Sequence, residues 1–282
     1  MSRRFKGRLV FGLLLGLTFC GVGLLVLILA HLLVRGGPAL SWQFLSTPAS
    51  GFGESGGVRY QIAGTVILMA GAGLLCLPVA VGMALFQTEC LGPGRFRRCL
   101  SAALDILNAA PTILLGLVGY LLFGQILHTG VSWLTGVLIL GIMILPTVQV
   151  AARNAMEAVP VAHRESARAL GLSPWQEVRA VVLPQSAWGI ATGLLLGLAR
   201  AGGETAAVMF TATVFSGVDW PRSWTDPVVT LQTHILTLAQ EALDPKALQA
   251  AWGAGLVLLL LVFSLILLSL LVRTRFVMES DG

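Results

Sequence analysis

The sequence predicts an all-α polytopic membrane protein with six transmembrane helices, and three observations carry that prediction. Of 282 residues, 56% are hydrophobic and 11% charged, with a mean hydropathy of +0.86. A chain so poor in polar groups cannot cover its apolar surface in water, which leaves a bilayer as its solvent. The apolar residues gather in runs of about 20, the length a helix needs to cross ~30 Å of hydrocarbon. All but one of the Lys and Arg residues fall between these runs.

The first run, residues 9–34, follows the basic start Arg3, Arg4 and Lys6. A signal peptide begins in the same way, but its apolar run is shorter and ends at a small-residue cleavage site, so this run reads as a retained helix. The second run is 62–86. The third, about 100–127, holds Asp105, Asn108 and Pro111 in its first half, and the fourth, 133–152, holds Pro146. A fifth at about 188–215 and a sixth at about 252–272 complete the set. Thirteen of the 18 Lys and Arg residues fall on the side of the two termini and four on the other, with Arg200 inside a run. Excess positive charge marks the cytoplasmic face, so both termini are expected there. The expected organisation is an N-terminal tail, first helix and periplasmic loop over 1–60, a transmembrane domain over 61–273 with a cytoplasmic loop at about 153–184, and a cytoplasmic tail over 274–282.

The outer loops differ in composition from the spans. GGPALSW and GFGESGG in 36–60 read as turns, and DWPRSWTDP in 216–250 is followed by the helix-compatible LTLAQEAL. Trp42, Trp220 and Trp224 suit the membrane interface, where an amphipathic ring has one apolar and one wet side. The four cysteines, Cys20, Cys76, Cys90 and Cys99, show no CxxC or Cys/His spacing and read as inert thiols, so no metal site is expected. His31, His128, His163 and His234 are scattered, with no Ser/His or HExxH arrangement, so no catalytic residues are assigned and a membrane enzyme or ion channel is only a distant alternative. The net charge of +5 is dispersed instead of forming a basic patch, which argues against nucleic acid.

One loop is out of place in so apolar a chain: ESARALGLSPWQEVRAVVLP, residues 165–184. Pro160 stops span four from continuing as a helix, because it removes a donor and clashes with the preceding turn. Residues 161–170 tolerate a helix, and Gly171 supplies the left-handed backbone that closes it. Ser173, Pro174 and Gln176 are a start signal, with Ser as cap, Pro at the first helical position and Gln three residues after the cap. In the second short helix Trp175, Val178, Val181 and Val182 are expected to share one face, with Glu177 and Arg179 pointing away, and Pro184 limits it.

Glu165-Ser166-Ala167, three residues, Gly171, nine residues, then Val181-Val182-Leu183-Pro184 resembles the EAA loop of bacterial ABC importer permeases, whose pattern is EAA, x3, G, x9, I-x-L-P. Ser166 and Val181 are mild departures. The resemblance implies a type I ABC importer permease fold in which this loop is a coupling helix docked on an ATP-binding subunit. It marks Arg164, Glu165, Ala167, Gly171, Leu183 and Pro184 as coupling residues. The chain has no GxxxxGK[ST] phosphate loop, so ATP and Mg are expected to be used by a partner ATPase and no cofactor by this chain.

In span five, LARAGGETAAVMFTAT places Arg200 and Glu204 four apart on one helical face. Ionisable groups within a membrane are costly and are functional candidates for that reason. Two roles are open: the two residues neutralise each other, or Arg200 faces a pathway and attracts an anion, with Glu204 holding it, since an Arg fork matches oxyanion geometry. Gly202-Gly203 permits a kink or close packing there. ARAGGETAAVMFTA is similar to the ARxxGETAPLLFTA segment of the A-type permease subunits of phosphate-specific (Pst) transporters. DILNAAPTILLGLVGY at 105–120 and SGGVRYQIAGTVIL at 55–68 resemble segments of the same family, and the likeness covers about 55–273. Ala207, Thr112 and Gly202 depart from that pattern. The resemblance implies inorganic phosphate as the solute, with another oxyanion such as sulfate, molybdate or phosphonate as the alternative. It also implies a C-type permease partner, two ATP-binding subunits, a periplasmic phosphate-binding protein and the bacterial inner membrane as location. Asp105 is expected to be structural, paired with Asn108 or with a loop Arg.

Overall fold

A computed structural model describes residues 3–50, 55–92, 94–214, 220–241 and 244–280. The helices are α1 (Arg3–Gly36), α2 (Trp42–Ser46), α3 (Arg59–Leu85), α4 (Arg95–Ala109), α5 (Thr112–Gly119), α6 (Trp133–Glu157), α7 (Val161–Ala169), α8 (Pro174–Glu177), α9 (Leu183–Gly202), α10 (Ala206–Thr211), α11 (Leu231–Glu241) and α12 (Pro245–Ser280). Wider π turns follow α3 (Phe86–Cys90), α5 (Tyr120–Ile126) and α8 (Val178–Val182). A two-residue antiparallel pair, β1 (Ala49–Ser50) with β2 (Ser55–Gly56), lies between α2 and α3, with Ala49 opposite Gly56. The turn expected in GFGESGG falls largely outside the described residues, as do the end of the fifth run at 215 and the start of DWPRSWTDP.

Among the described residues five helical stretches are long and apolar enough to cross a membrane: Phe11–Ala39, Arg59–Cys90, Trp133–Glu157, Pro174–Gly202 and Pro245–Arg273. A sixth crossing is made only if Arg95–Ala109 and Thr112–Ile126 count as one span, and these two are bent by 98°. The expectation of a third continuous helix is thereby corrected. Ala110 and Pro111 are both extended, with ψ of 136° and 126°. Proline lacks the N–H that a helix would need and pushes the residue before it out of the helical region. Pro78 and Pro146, by contrast, sit inside unbroken helices.

The core forms where α3, α6 and α9 meet. Leu68, Ala72, Cys76 and Ala80 of α3 pack with Leu140, Met143, Ile144 and Val148 of α6 and Ala201 of α9. In a bilayer, lipid tails are as apolar as leucine, so helices associate through close van der Waals contact and small residues. The α6–α9 seam shows this: a Cβ on Gly193 would come 2.3 Å from the Ala151 Cβ, and one on Gly197 would come 2.8 Å from Val148. A second cluster of Phe44, Val58, Leu231, Ala254 and Val257 joins α2, α11 and α12, and a third of Ala84, Ala152, Met156, Val182 and Ile190 closes the end that carries α7 and α8. The first span has none of its apolar window buried, and it rests on α12, where His31 meets Trp252 edge-on at 5.3 Å.

The fifth span ends earlier than the sequence suggested. Helix α9 ends at Gly202, the chain turns through Gly203, Glu204 and Thr205, and only the six residues of α10 follow before Thr213 bridges to Val228. Adjacent glycines weaken a helix, and the freed Gly202 carbonyl accepts a hydrogen bond of 2.6 Å from the buried Gln232 amide of α11. Thr65 of α3 donates to the other end of that amide at 3.2 Å. The helix therefore breaks at a fixed point, held from two neighbouring helices.

Candidate functional site

Two broken helices bring one cation into the bundle. Contacts descend α4 as they climb α6: Arg97 pairs with Glu157, Arg153 reaches Ser101 at 3.5 Å, and Asn108 shares Arg200 with Thr147. Helix α4 thus lies antiparallel along α6 and delivers Asn108, one turn before the Pro111 break, to the Arg200 guanidinium. Nη1 of Arg200 donates to the Asn108 carbonyl and, at 3.2 Å, to the Thr147 hydroxyl. Among the described residues Arg200 makes no ion pair, so of the two roles left open for Arg200 and Glu204, direct pairing is not what the structure holds. Arg200 sits on the last turn of α9 while Glu204 lies beyond the break, and residues across a break no longer share a helical face. The Glu204 side chain lies close to Thr112, at the head of α5.

Asp105 is corrected as well. It is exposed on α4, and among the described residues it is paired with neither Asn108 nor an arginine. Asn108, expected to be a structural partner of Asp105, is the residue that orients Arg200. Thr147 was not singled out by the sequence at all. A polar side chain in the middle of an apolar run was the available signal for it.

The loop between α6 and α9 forms the second constellation. Helix α6 stops at Glu157 and α7 begins after Pro160. Gly171 has φ of +79°, and the amide of Leu172 reaches back to the Ala167 carbonyl at 3.2 Å, closing α7 in a Schellman-type turn. At Ser173 a complete capping box forms: its hydroxyl accepts from the Gln176 amide while the Gln176 side chain accepts from the Ser173 amide at 2.8 Å. Ala167 is buried against the loop, Leu183 is half-buried, and Glu165, Gly171 and Pro184 are exposed.

Glu177 departs from expectation. It turns inward, 4% exposed, and takes two hydrogen bonds from Arg168, at 2.8 and 3.1 Å. The change of register comes from the π turn at Val178–Val182, whose wider winding rotates the preceding residues relative to a regular helix. Val178 and Val182 stay buried, and Trp175 is exposed instead of sharing their face. Arg164 completes the group: Nη1 lies 2.9 Å from both Glu89 carboxylate oxygens, Nη2 bonds the Met156 carbonyl at 2.9 Å, and Glu177 lies 3.9 Å away. The hydrogen bonds from Arg168 to Glu177 push the Arg168 guanidinium above its usual range. Alternating charges, Glu89, Arg164, Glu177 and Arg168, thus tie both short helices to the end of α3. Glu89 and Glu177 were not foreseen.

Among the described residues no group of three or more His, Cys, Asp or Glu is placed to hold a metal ion. Apolar spans, a cation held at two helix breaks and a braced polar loop are features of a membrane transport component. The chain belongs to the family of binding-protein-dependent transport system inner membrane components, whose profile matches residues 76–277. It is 28% identical to a probable ABC transporter permease protein, YqgI, of Bacillus subtilis over 94% of this chain and 95% of that one. It is 33% identical to phosphate transport system permease protein PstA 2 of Mycobacterium bovis over 85% of this chain and 78% of that one. The likeness to phosphate transport permeases read in ARAGGET and DILNAAP agrees with this relative. The fold is shared with a bacterial alginate ABC transporter, with a TM-score of 0.63 at 15% identity over 94% of this chain and 93% of that one. The chain is thus an ABC importer permease of the type-1 fold.

Proposed function

We propose that this chain is the A-type half of the membrane core of an inorganic phosphate importer. The observation that carries the reading is the state of Arg200: two neutral groups, Asn108 and Thr147, orient it, and among the described residues no carboxylate forms an ion pair with it. A guanidinium held in this way keeps its charge for an anion, and its planar fork matches two oxygens of a phosphate. Glu204 stands across the break, beyond the end of α9. The relative named as a phosphate transport permease supports the solute.

The α7–α8 loop is the docking surface for an ATP-hydrolysing subunit. Val161, Leu170 and Trp175 are exposed on it, three large apolar side chains on an otherwise polar loop. Arg164 braces that surface through Glu89, while Glu165, Ala167, Gly171, Leu183 and Pro184 shape it. ATP and Mg belong to that subunit, two copies of which serve a pair of permeases, this chain and a C-type partner, with a periplasmic phosphate-binding protein delivering the solute. The bacterial inner membrane is the location, with both termini and the loop in the cytoplasm. The test is ATP-driven phosphate uptake in proteoliposomes holding the assembled importer, competed by sulfate and by molybdate. Phosphate import that neither anion suppresses is the expected result. Import of sulfate or molybdate in preference to phosphate replaces the solute, and no ATP-dependent import of any oxyanion refutes the reading.

A further inference from the structure

A groove of about 1200 Å³ runs between α6 and α9 at the α7–α8 end of the bundle, with Asn154, His163, Gln185, Thr192 and Arg273 as its polar lining. Two rows of side chains form its walls. On α9 they are Trp188, Thr192 and Leu196, four residues apart, and the next member of that row is Arg200. On α6 they are Asn154 and Ala151, with Ala158 at its C-cap, and the next member is Thr147. Residues spaced by three and four lie one above another on a helix. Leu196 and Ala151, the innermost of each row, each have as neighbour one turn further on a member of the pair that hydrogen-bonds at 3.2 Å. The inner end of the groove, at Leu196 and Ala151, thus lies one helical turn from the Arg200–Thr147 hydrogen bond.

Its floor is closed by the tight α6–α9 seam, where Gly189 and Gly193 press on Ala155 and Ala151. Its outer end carries Arg273 of α12 and the His163–Gln185 pair, joined at 3.0 Å. Among the described residues that line it there is no Asp or Glu. Arg273 stands at the outer end, Arg200 lies one turn beyond the inner end, and the wall between carries neutral hydrogen-bonding groups. A cation would be repelled at both ends, whereas an oxyanion is attracted at both and finds donors between.

We propose that this groove is the release route by which a free oxyanion leaves Arg200, with Thr192 and Asn154 as its mid-route contacts and Gln185, His163 and Arg273 at its mouth. The proposal rests on the importer reading above and adds the path on one side of Arg200. A carboxylate in mid-groove is the direct perturbation. In proteoliposomes holding the assembled importer, Thr192→Asp is expected to retain at most a tenth of the phosphate uptake kept by Thr192→Asn, which has the same size without the charge. Equal uptake by the two variants, with the wild type importing phosphate, overturns the groove.

A second measurement does not depend on how well the Asp variant folds. With the exposed Cys20, Cys90 and Cys99 replaced by Ser and the buried Cys76 kept, Thr192→Cys in the solubilised importer is treated with a sulfonate-bearing thiol reagent. Modification is expected, slowed at least threefold by inorganic phosphate and not by phosphatidylglycerol. A thiol that the reagent does not reach, that reacts equally fast with and without phosphate, or that only the lipid protects, overturns the proposal, the last of these making the groove a lipid headgroup site. A wild-type importer that fails to take up phosphate refutes the solute reading instead, and the labelling experiment still decides the groove.

Discussion

Gly171 offers a perturbation whose cost can be isolated. Its φ is +79°, in the left-handed region, and a Cβ built on it meets nothing within 4 Å. A side chain there would displace no neighbour, so the whole penalty is conformational. An L-residue in that region costs about 1–2 kcal/mol, with a β-branched residue at the upper end. If the corner must be left-handed for α7 and α8 to present one surface, Gly171→Val weakens binding of the ATP-hydrolysing subunit by about tenfold to thirtyfold, since 1.4 kcal/mol is a factor of ten. Asn tolerates the left-handed region, and Gly171→Asn is expected within about threefold of wild type. The assay is titration of the purified ATP-hydrolysing subunit against the solubilised permease, with membrane insertion checked in parallel. Binding by Gly171→Val at wild-type affinity, or an Asn variant as weak as the Val variant, would falsify the assignment of the corner as the determinant.

Arg200→Ala is expected to abolish ATP-driven phosphate uptake, and Arg200→Lys to lose most of it, because an ammonium cannot make the planar two-pronged contact; uptake in the Lys variant equal to wild type removes the fork from the argument. Gln232→Leu takes the donor from the buried Gly202 carbonyl, a loss of about 1–3 kcal/mol, and should lower both the melting temperature and uptake while leaving binding of the ATP-hydrolysing subunit intact. Glu177→Gln replaces charge-assisted hydrogen bonds to Arg168 with weaker ones, and amides of α7 and α8 should exchange hydrogen faster; unchanged protection there means that the network does not brace the loop. In Gly64→Ala the new Cβ would come 2.0 Å from the Val229 carbonyl oxygen, so the backbone must move at a cost of about 1–3 kcal/mol, visible as a lowered melting temperature in detergent.

The crossings were legible wherever hydropathy alone decides. The apolar runs at 9–34, 62–86, 133–152 and 252–272 all lie within helices, because a bilayer leaves a polar backbone few other ways to satisfy itself. The loop was legible through local chemistry: Pro160, Gly171 and Ser173 each fix the backbone within a residue or two. The two breaks were harder to see. Pro111 and Pro146 look alike in sequence, yet α6 continues through one and α4 ends before the other. The end of α9 depends on Gln232, 30 residues away in sequence. Arg200 stood out at once as a charge in an apolar run, but its partners are 92 and 53 residues distant. Spacing of four from Glu204 suggested a neighbour that the broken helix then moved off its face. Glu177 was read as pointing outward because regular α-helical winding was assumed where the chain takes a wider turn.

That wider turn bears on how the loop can vary. A π turn accommodates one residue more than an α-helix would over the same rise. Deleting any one residue from Val178–Val182 would leave a smooth, equally apolar helix, yet it would swing everything before it by about 100° and carry Glu177 away from both arginines. The nine positions between Gly171 and Val181 therefore count angle as well as length. An insertion or deletion there is silent to hydropathy and is felt as a rotation, so chains of this kind are free to exchange residues in that stretch and not to change its number.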